Sequence, residues 1–146
     1  MRTAILSATA LAMMCLPALA DRPVTEAERE KINAALAAIG CHATDLEFDT
    51  GDNRYEVDDA RCGDDGKTYD FELNTDFVIV DGERPVNAEE RARIDAVLTA
   101  EGCSGGIAEF DYDDNRYEVD NVVCGQSLYE IDLDTDFQIL RKKLDD

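Results

Sequence analysis

The chain of 146 residues carries 34 acidic and 14 basic side chains for a formal charge of −20, and its length corresponds to about one domain. A field of that sign repels nucleic acid and anionic membrane surfaces, which excludes both as expected partners, and it attracts cations and basic proteins.

The first residues read as an expected leader. Met1-Arg2-Thr3 supplies one positive charge, an apolar run covers 4–16, and Pro17 precedes the small-residue end Ala18-Leu19-Ala20. This pattern predicts a secretory signal peptide over 1–20, cleaved after Ala20. The apolar run of 13 residues is short of the roughly 20 that a spanning helix needs. Met14, not a small residue, precedes Cys15, so a lipid anchor is not expected there either. The expected product is periplasmic or secreted, without a membrane anchor after cleavage, and loss of Arg2 takes the charge from −20 to −21.

Beyond the leader the chain repeats itself. DNRYEVD stands at 52–58 and again at 114–120. In the same register Arg22-Pro23-Val24 falls on Arg84-Pro85-Val86, Gly40-Cys41 on Gly102-Cys103, and Cys62-Gly63 on Cys124-Gly125. After that glycine the second copy is two residues shorter, so Tyr69 meets Tyr129 and Thr75-Asp76-Phe77 meets Thr135-Asp136-Phe137. Each copy opens with a capping box, Thr25 to Glu28 and Asn87 to Glu90. A helical stripe follows, Ile32, Ala35, Leu36 and Ile39 in one copy and Ile94, Val97 and Leu98 in the other, and Gly40 or Gly102 ends it. The rest alternates with period two. Leu46, Phe48, Tyr55, Val57, Tyr69, Phe71, Leu73, Phe77 and Ile79 share one face. Ala108, Phe110, Tyr112, Tyr117, Val119, Tyr129, Ile131, Leu133, Phe137 and Ile139 repeat it. Turns are expected at 51–53 and 113–115, at Asp64-Asp65-Gly66, and at Asn74-Thr75-Asp76. The expected fold class is α+β: two tandem units, 21–84 and 85–146, each with one N-terminal helix packed on a four-stranded antiparallel meander sheet.

Cys41, Cys62, Cys103 and Cys124 remain after the leader. Units this small need staples, and the pairs Cys41–Cys62 and Cys103–Cys124 preserve the duplication. Each closes a loop worth roughly 3 kcal/mol in the chain-entropy account. Zinc is the rival, but the short C-x-x-C spacings it favours are absent, so no metal site is assigned.

The segment YEVDDARCGDDGKTYDFELNTDFVIV (55–80) resembles the core of the PepSY domain: a Y-E-V strand, an acidic Asp-Gly turn, a Y-D-x-x-L strand and a final D-x-x-x-V strand after an N-terminal helix. YEVDNVVCGQSLYEIDLDTDFQIL (117–140) is similar but lacks the Asp-Gly turn. The resemblance implies a binding or inhibitory module of secreted or envelope proteins, a class that includes propeptides of thermolysin-type metallopeptidases. A tandem pair is also similar, at the level of fold, to the beta-lactamase inhibitory proteins. The PepSY family brings no catalytic residues.

The face opposite the apolar one is acidic. Glu47, Asp49, Arg54, Glu56, Asp58, Asp70 and Glu72 line it in the first copy, and Glu109, Asp111, Arg116, Glu118, Asp120, Glu130 and Asp132 in the second. The candidate binding residues are Arg54, Glu56, Asp58, Asp70, Glu72, Arg116, Glu118, Asp120, Glu130 and Asp132. They suit a basic protein or an envelope peptidase. A cation-binding or buffering role, with calcium on the DTGDN and DYDDN loops, is the alternative, although these loops lack the EF-hand order. The lone histidine, His42, is replaced by Ser104 in the second copy, and neither Ser104 nor Ser127 lies in a nucleophile motif. No enzyme activity and no cofactor are expected.

Overall fold

The structure, a computed structural model, describes residues 21–64 and 66–145. The expected leader over 1–20 lies outside these residues, as does Asp65 of the expected Asp64-Asp65-Gly66 turn. Two helices form, α1 (Glu26–Ala38) and α2 (Ala88–Ala100), each behind a complete capping box. The Thr25 and Asn87 side chains accept from the N–H of Glu28 and Glu90, whose carboxylates accept in turn from the N–H of the cap. Beyond the helix ends, Gly40 and Gly102 take left-handed φ values of 76° and 71°. Ile32, Leu36, Ile94 and Leu98 are fully buried, each worth about 1.5–3 kcal/mol of apolar transfer.

The strands are β1 (Arg22–Pro23), β2 (Cys41–His42), β3 (Asp45–Asp49), β4 (Arg54–Cys62), β5 (Tyr69–Leu73), β6 (Ile79–Pro85), β7 (Cys103–Ser104), β8 (Ile107–Asp111), β9 (Arg116–Cys124), β10 (Ser127–Leu133) and β11 (Ile139–Leu144). They run β1-β3-β4-β5-β6-β8-β9-β10-β11, with β2 beside β4 and β7 beside β9, and every pairing is antiparallel.

This corrects the expected fold class. The described residues form one 11-stranded sheet, not two units of a helix on a four-stranded sheet. The joint is β6. Its first half pairs with β5 (Leu73↔Ile79, Glu72↔Asp81, Phe71↔Gly82), and its second half pairs with β8 (Glu83↔Asp111, Arg84↔Phe110, Pro85↔Glu109). The boundary drawn between 84 and 85 falls inside this strand. One strand thereby covers two edges, that of β5 with its first half and that of β8 with its second, whose N–H and C=O groups would otherwise stand unpaired.

Two further details differ from expectation. The two-residue strands β1, β2 and β7 are additional. Phe77 and Phe137 lie in turns at φ 63° and not in strands. That backbone costs an aromatic residue roughly 1–2 kcal/mol. Packing holds it: each ring stacks on a tyrosine, Tyr55 at 4.9 Å or Tyr117 at 4.7 Å, beneath the cation of Lys31 or Arg93.

The apolar alternation sets the faces. Leu46, Tyr55, Val57, Phe71 and Leu73 form one core with Ile32 and Leu36 of α1; Phe110, Tyr117, Val119, Ile131 and Leu133 form another with Ile94 and Leu98 of α2. Tyr112 packs against both cores, edge-on to Phe71 and Phe110, and its hydroxyl accepts from Arg84 Nε at 3.1 Å. Each helix is tied to the start of its sheet by a charged cluster. Arg22 and Tyr55 converge on Glu28, and Arg84 and Tyr117 on Glu90. Disulfides join Cys41 to Cys62 and Cys103 to Cys124, directly opposed residues of β2–β4 and β7–β9. No helix among the described residues is long and apolar enough to cross a membrane.

Gly82 sits at the joint with φ 111°, and a Cβ there would lie 2.3 Å from the Asp70 carbonyl oxygen and 2.8 Å from the Phe71 ring. Gly82→Ala is therefore expected to lower the unfolding free energy by roughly 3 kcal/mol in urea titrations. Gly63→Ala, at φ 66° with open space around it, should cost only about 1 kcal/mol. Equal losses would show that β6 tolerates displacement at the joint.

Candidate functional site

On the face away from the helices, directly opposed residues place carboxylates in rows. Glu47, Glu56, Glu72 and Asp81 stand side by side across β3, β4, β5 and β6. Glu109, Glu118, Asp132 and Arg141 make the corresponding row across β8, β9, β10 and β11. Directly opposed like charges cost up to about 1 kcal/mol per pair, so what compensates them decides the character of each face.

In the second repeat the chain neutralises itself. Arg141 donates from Nε to Asp132 at 2.6 Å and from Nη2 to Glu130 at 2.6 Å. Arg116 donates to Glu118 at 2.5 Å and pairs with Asp114 at 2.7 Å, and Lys143 lies 3.7 Å from Glu130. Asp132 is buried beneath these cations. In the first repeat the same face holds Arg54, paired with Glu72. Among the described residues Glu56, Asp58 and Asp81 make no ion pair and Asp70 accepts only from the Asp59 N–H, at 2.9 Å. Glu56, Asp58, Asp70, Glu72 and Asp81 line a shallow depression of about 250 Å³.

The ten candidate residues thus share one face but divide into two environments: Arg54, Glu56, Asp58, Asp70 and Glu72 around an open depression, and Arg116, Glu118, Asp120, Glu130 and Asp132 mostly covered by their own cations. Asp81, Glu83, Arg141 and Lys143 were missed. Carrying the repeat alignment past the two-residue deletion would have found them, because it sets Asp81 against Arg141 and Glu83 against Lys143. The acidic loops are turns: Asp49 Oδ1 accepts from the N–H of Gly51 and Asp52, and Asp111 Oδ1 from those of Asp113 and Asp114. At the joint, oxygens of Glu83, Asp111 and Glu118 lie within 4.8 Å of one another. His42 and Ser104 are exposed on β2 and β7, away from these rows.

Crowding perturbs the carboxyls. Burial pushes Glu56 above its ordinary range, helped by Asp49 and Asp21; burial and Asp70 do the same to Asp58. Burial, then Glu109 and Glu118, raise Glu83; burial, then Glu130, raise Asp120. Two carboxyls under the helix side move the other way. The Arg22 guanidinium and the Thr25 amide hold Glu28 well below the usual carboxylate range. Burial works against Glu90, but Arg84 and the Asn87 amide outweigh it and hold that carboxyl low.

Comparisons with protein-family models, with curated proteins and with solved structures give no match to this chain.

The raised carboxyls bind protons more tightly in the folded chain, so their repulsion grows, and stability falls, as pH rises from about 4 through their folded values. The lowered Glu28 and Glu90 contribute stability that is present above about pH 4.5 and is lost on further acidification. The melting temperature should therefore peak between about pH 4 and 5 and fall on both sides. Sodium chloride at about 0.5 M should raise it more at about pH 7.5 than at the peak, since it screens the repulsion. A monotonic rise in stability to pH 8 would contradict the assignment of these groups.

Proposed function

We propose that this is an exported, non-catalytic binding protein that docks a basic protein on the bare acidic face of its sheet. The observation that carries this reading is the row of directly opposed carboxylates Glu47–Glu56–Glu72–Asp81, where among the described residues Arg54 is the only cation paired with the row, and it reaches Glu72 alone. Keeping such a row costs stability, and a positively charged partner offsets that cost on binding while gaining speed of association. The PepSY-like sequence pattern favours an envelope peptidase as the partner and restraint of its activity as the effect. Export with cleavage after Ala20 supplies the compartment, and the two disulfides are consistent with an oxidising one.

Affinity capture from an envelope extract at low salt tests the reading. A basic protein should be retained and released as salt is raised, and Glu56→Lys with Asp70→Lys should cut its recovery at least about tenfold. Recovery of nothing salt-sensitive, or equal recovery by the double variant, would reject it.

A second reading, cation binding, is favoured by the Glu83, Asp111 and Glu118 triad. It requires that calcium at about 2 mM raise the melting temperature beyond sodium chloride of equal ionic strength, and that Glu83→Gln remove the difference. If the two salts act alike, that reading fails.

A further inference from the structure

We propose that the depression in the first repeat is a guanidinium site, filled by an arginine side chain of the basic partner. This deepens the docking reading above and rests on it. The second repeat supplies the comparison, because β6 and β11 are equivalent last strands: Leu73↔Ile79, Glu72↔Asp81 and Phe71↔Gly82 in one, Leu133↔Ile139, Asp132↔Arg141 and Ile131↔Lys142 in the other. Asp70 and Glu72 therefore occupy the places of Glu130 and Asp132, and Asp81 occupies the place of Arg141.

In the second repeat that place is filled from within. The Arg141 guanidinium bridges the two carboxylates of β10, with bonds of 2.6 and 3.2 Å to Asp132 and 2.6 Å to Glu130. Under this cover the Asp132 side chain is only 3 % exposed. In the first repeat the cation is replaced by a further acid, and the depression lined by Glu56, Asp58, Asp70, Glu72 and Asp81 lies where the guanidinium would be. Arg54 reaches Glu72 but leaves its side chain 37 % exposed, and Arg61, at the far end of β4, makes no ion pair among the described residues. The duplication thus shows what this arrangement of carboxylates accepts when it is satisfied.

The shape of the charge selects among cations. Within the described residues the triad at the joint has oxygens that converge within 4.8 Å, and the carboxylates of the depression form no such group. A spread pair of acceptors two residues apart on one strand suits a planar fork of N–H donors better than a compact ion or an ammonium.

The purified protein is titrated calorimetrically with hexa-arginine and hexa-lysine peptides at low salt, and each variant is first checked for a cooperative melt. Asp81→Arg places in the first repeat the cation that the second already has; it should weaken hexa-arginine binding at least about tenfold. The charge-matched control Glu101→Arg, at the end of α2, should weaken it about twofold through long-range screening alone. Arg141→Asp opens the equivalent place and should change the stoichiometry from one peptide to two. If its exposed Asp132 prevents folding, Asp81→Arg decides alone. Hexa-lysine should bind several-fold more weakly than hexa-arginine. Equal weakening by Asp81→Arg and Glu101→Arg, or equal affinity for the two peptides, would overturn the site. If hexa-arginine binds, is displaced by salt and is lost in Glu56→Lys with Asp70→Lys but is indifferent to Asp81→Arg, the docking reading stands and the guanidinium site falls. If neither peptide binds, both fall.

Discussion

One strand, β6, is hydrogen-bonded along its first half to the first repeat and along its second half to the second. A backbone edge left open would present several unsatisfied donors and acceptors and invite pairing with another chain, so a strand that serves both repeats removes two edges at once. Its course sets local demands. Gly82 lets the strand pass within touching distance of Asp70 and Phe71, and Tyr112 fills the space between the two cores. Neither residue has a like-for-like counterpart in the other repeat, where Lys142 and Thr50 stand. The joint is thus the place where two copies of one sequence had to become different.

Continuity of the sheet also makes the acidic faces continuous. Had the repeats folded as separate sheets, each carboxylate row would have been a local matter. With β6 shared, Glu83 lies directly beside Asp111, and the charge of one repeat raises the cost of ionising the other. The protein bears this because its stability is held elsewhere, on the helix side. There Arg22, Glu28 and Tyr55 pair at a partly exposed position, their counterparts Arg84, Glu90 and Tyr117 pair at a sheltered one, and disulfides close each repeat. A fold secured on one face is free to tolerate repulsion on the other.

Duplication adds an internal control. The two faces have the same strands, the same register and nearly the same carboxylates, yet one is neutralised by Arg141 and Lys143 while the other carries Asp81 and Glu83 in their places. That contrast connects the packing of the sheet to the binding role proposed for it.

From the sequence alone came the helices, their caps and stops, the period-two faces, the cysteine pairs and the acidic side of the sheet. Each follows from contacts a few residues apart or from one repeat compared with the other. Capping boxes such as Thr25–Glu28 and alternation such as Tyr55-Glu56-Val57 report local geometry directly. The joining of the repeats through β6 was hidden because backbone hydrogen bonds between strands carry no side-chain signature, and residues 79–85 read equally well as an ending followed by a beginning. The turn position of Phe77 was hidden for a related reason: its left-handed backbone is stabilised by Tyr55 and Lys31, distant in sequence. Likewise, which carboxylates keep a cation depended on the strand that lies beside them, and only tertiary pairing decided that Arg141 covers Asp132 while Asp81 faces Glu72.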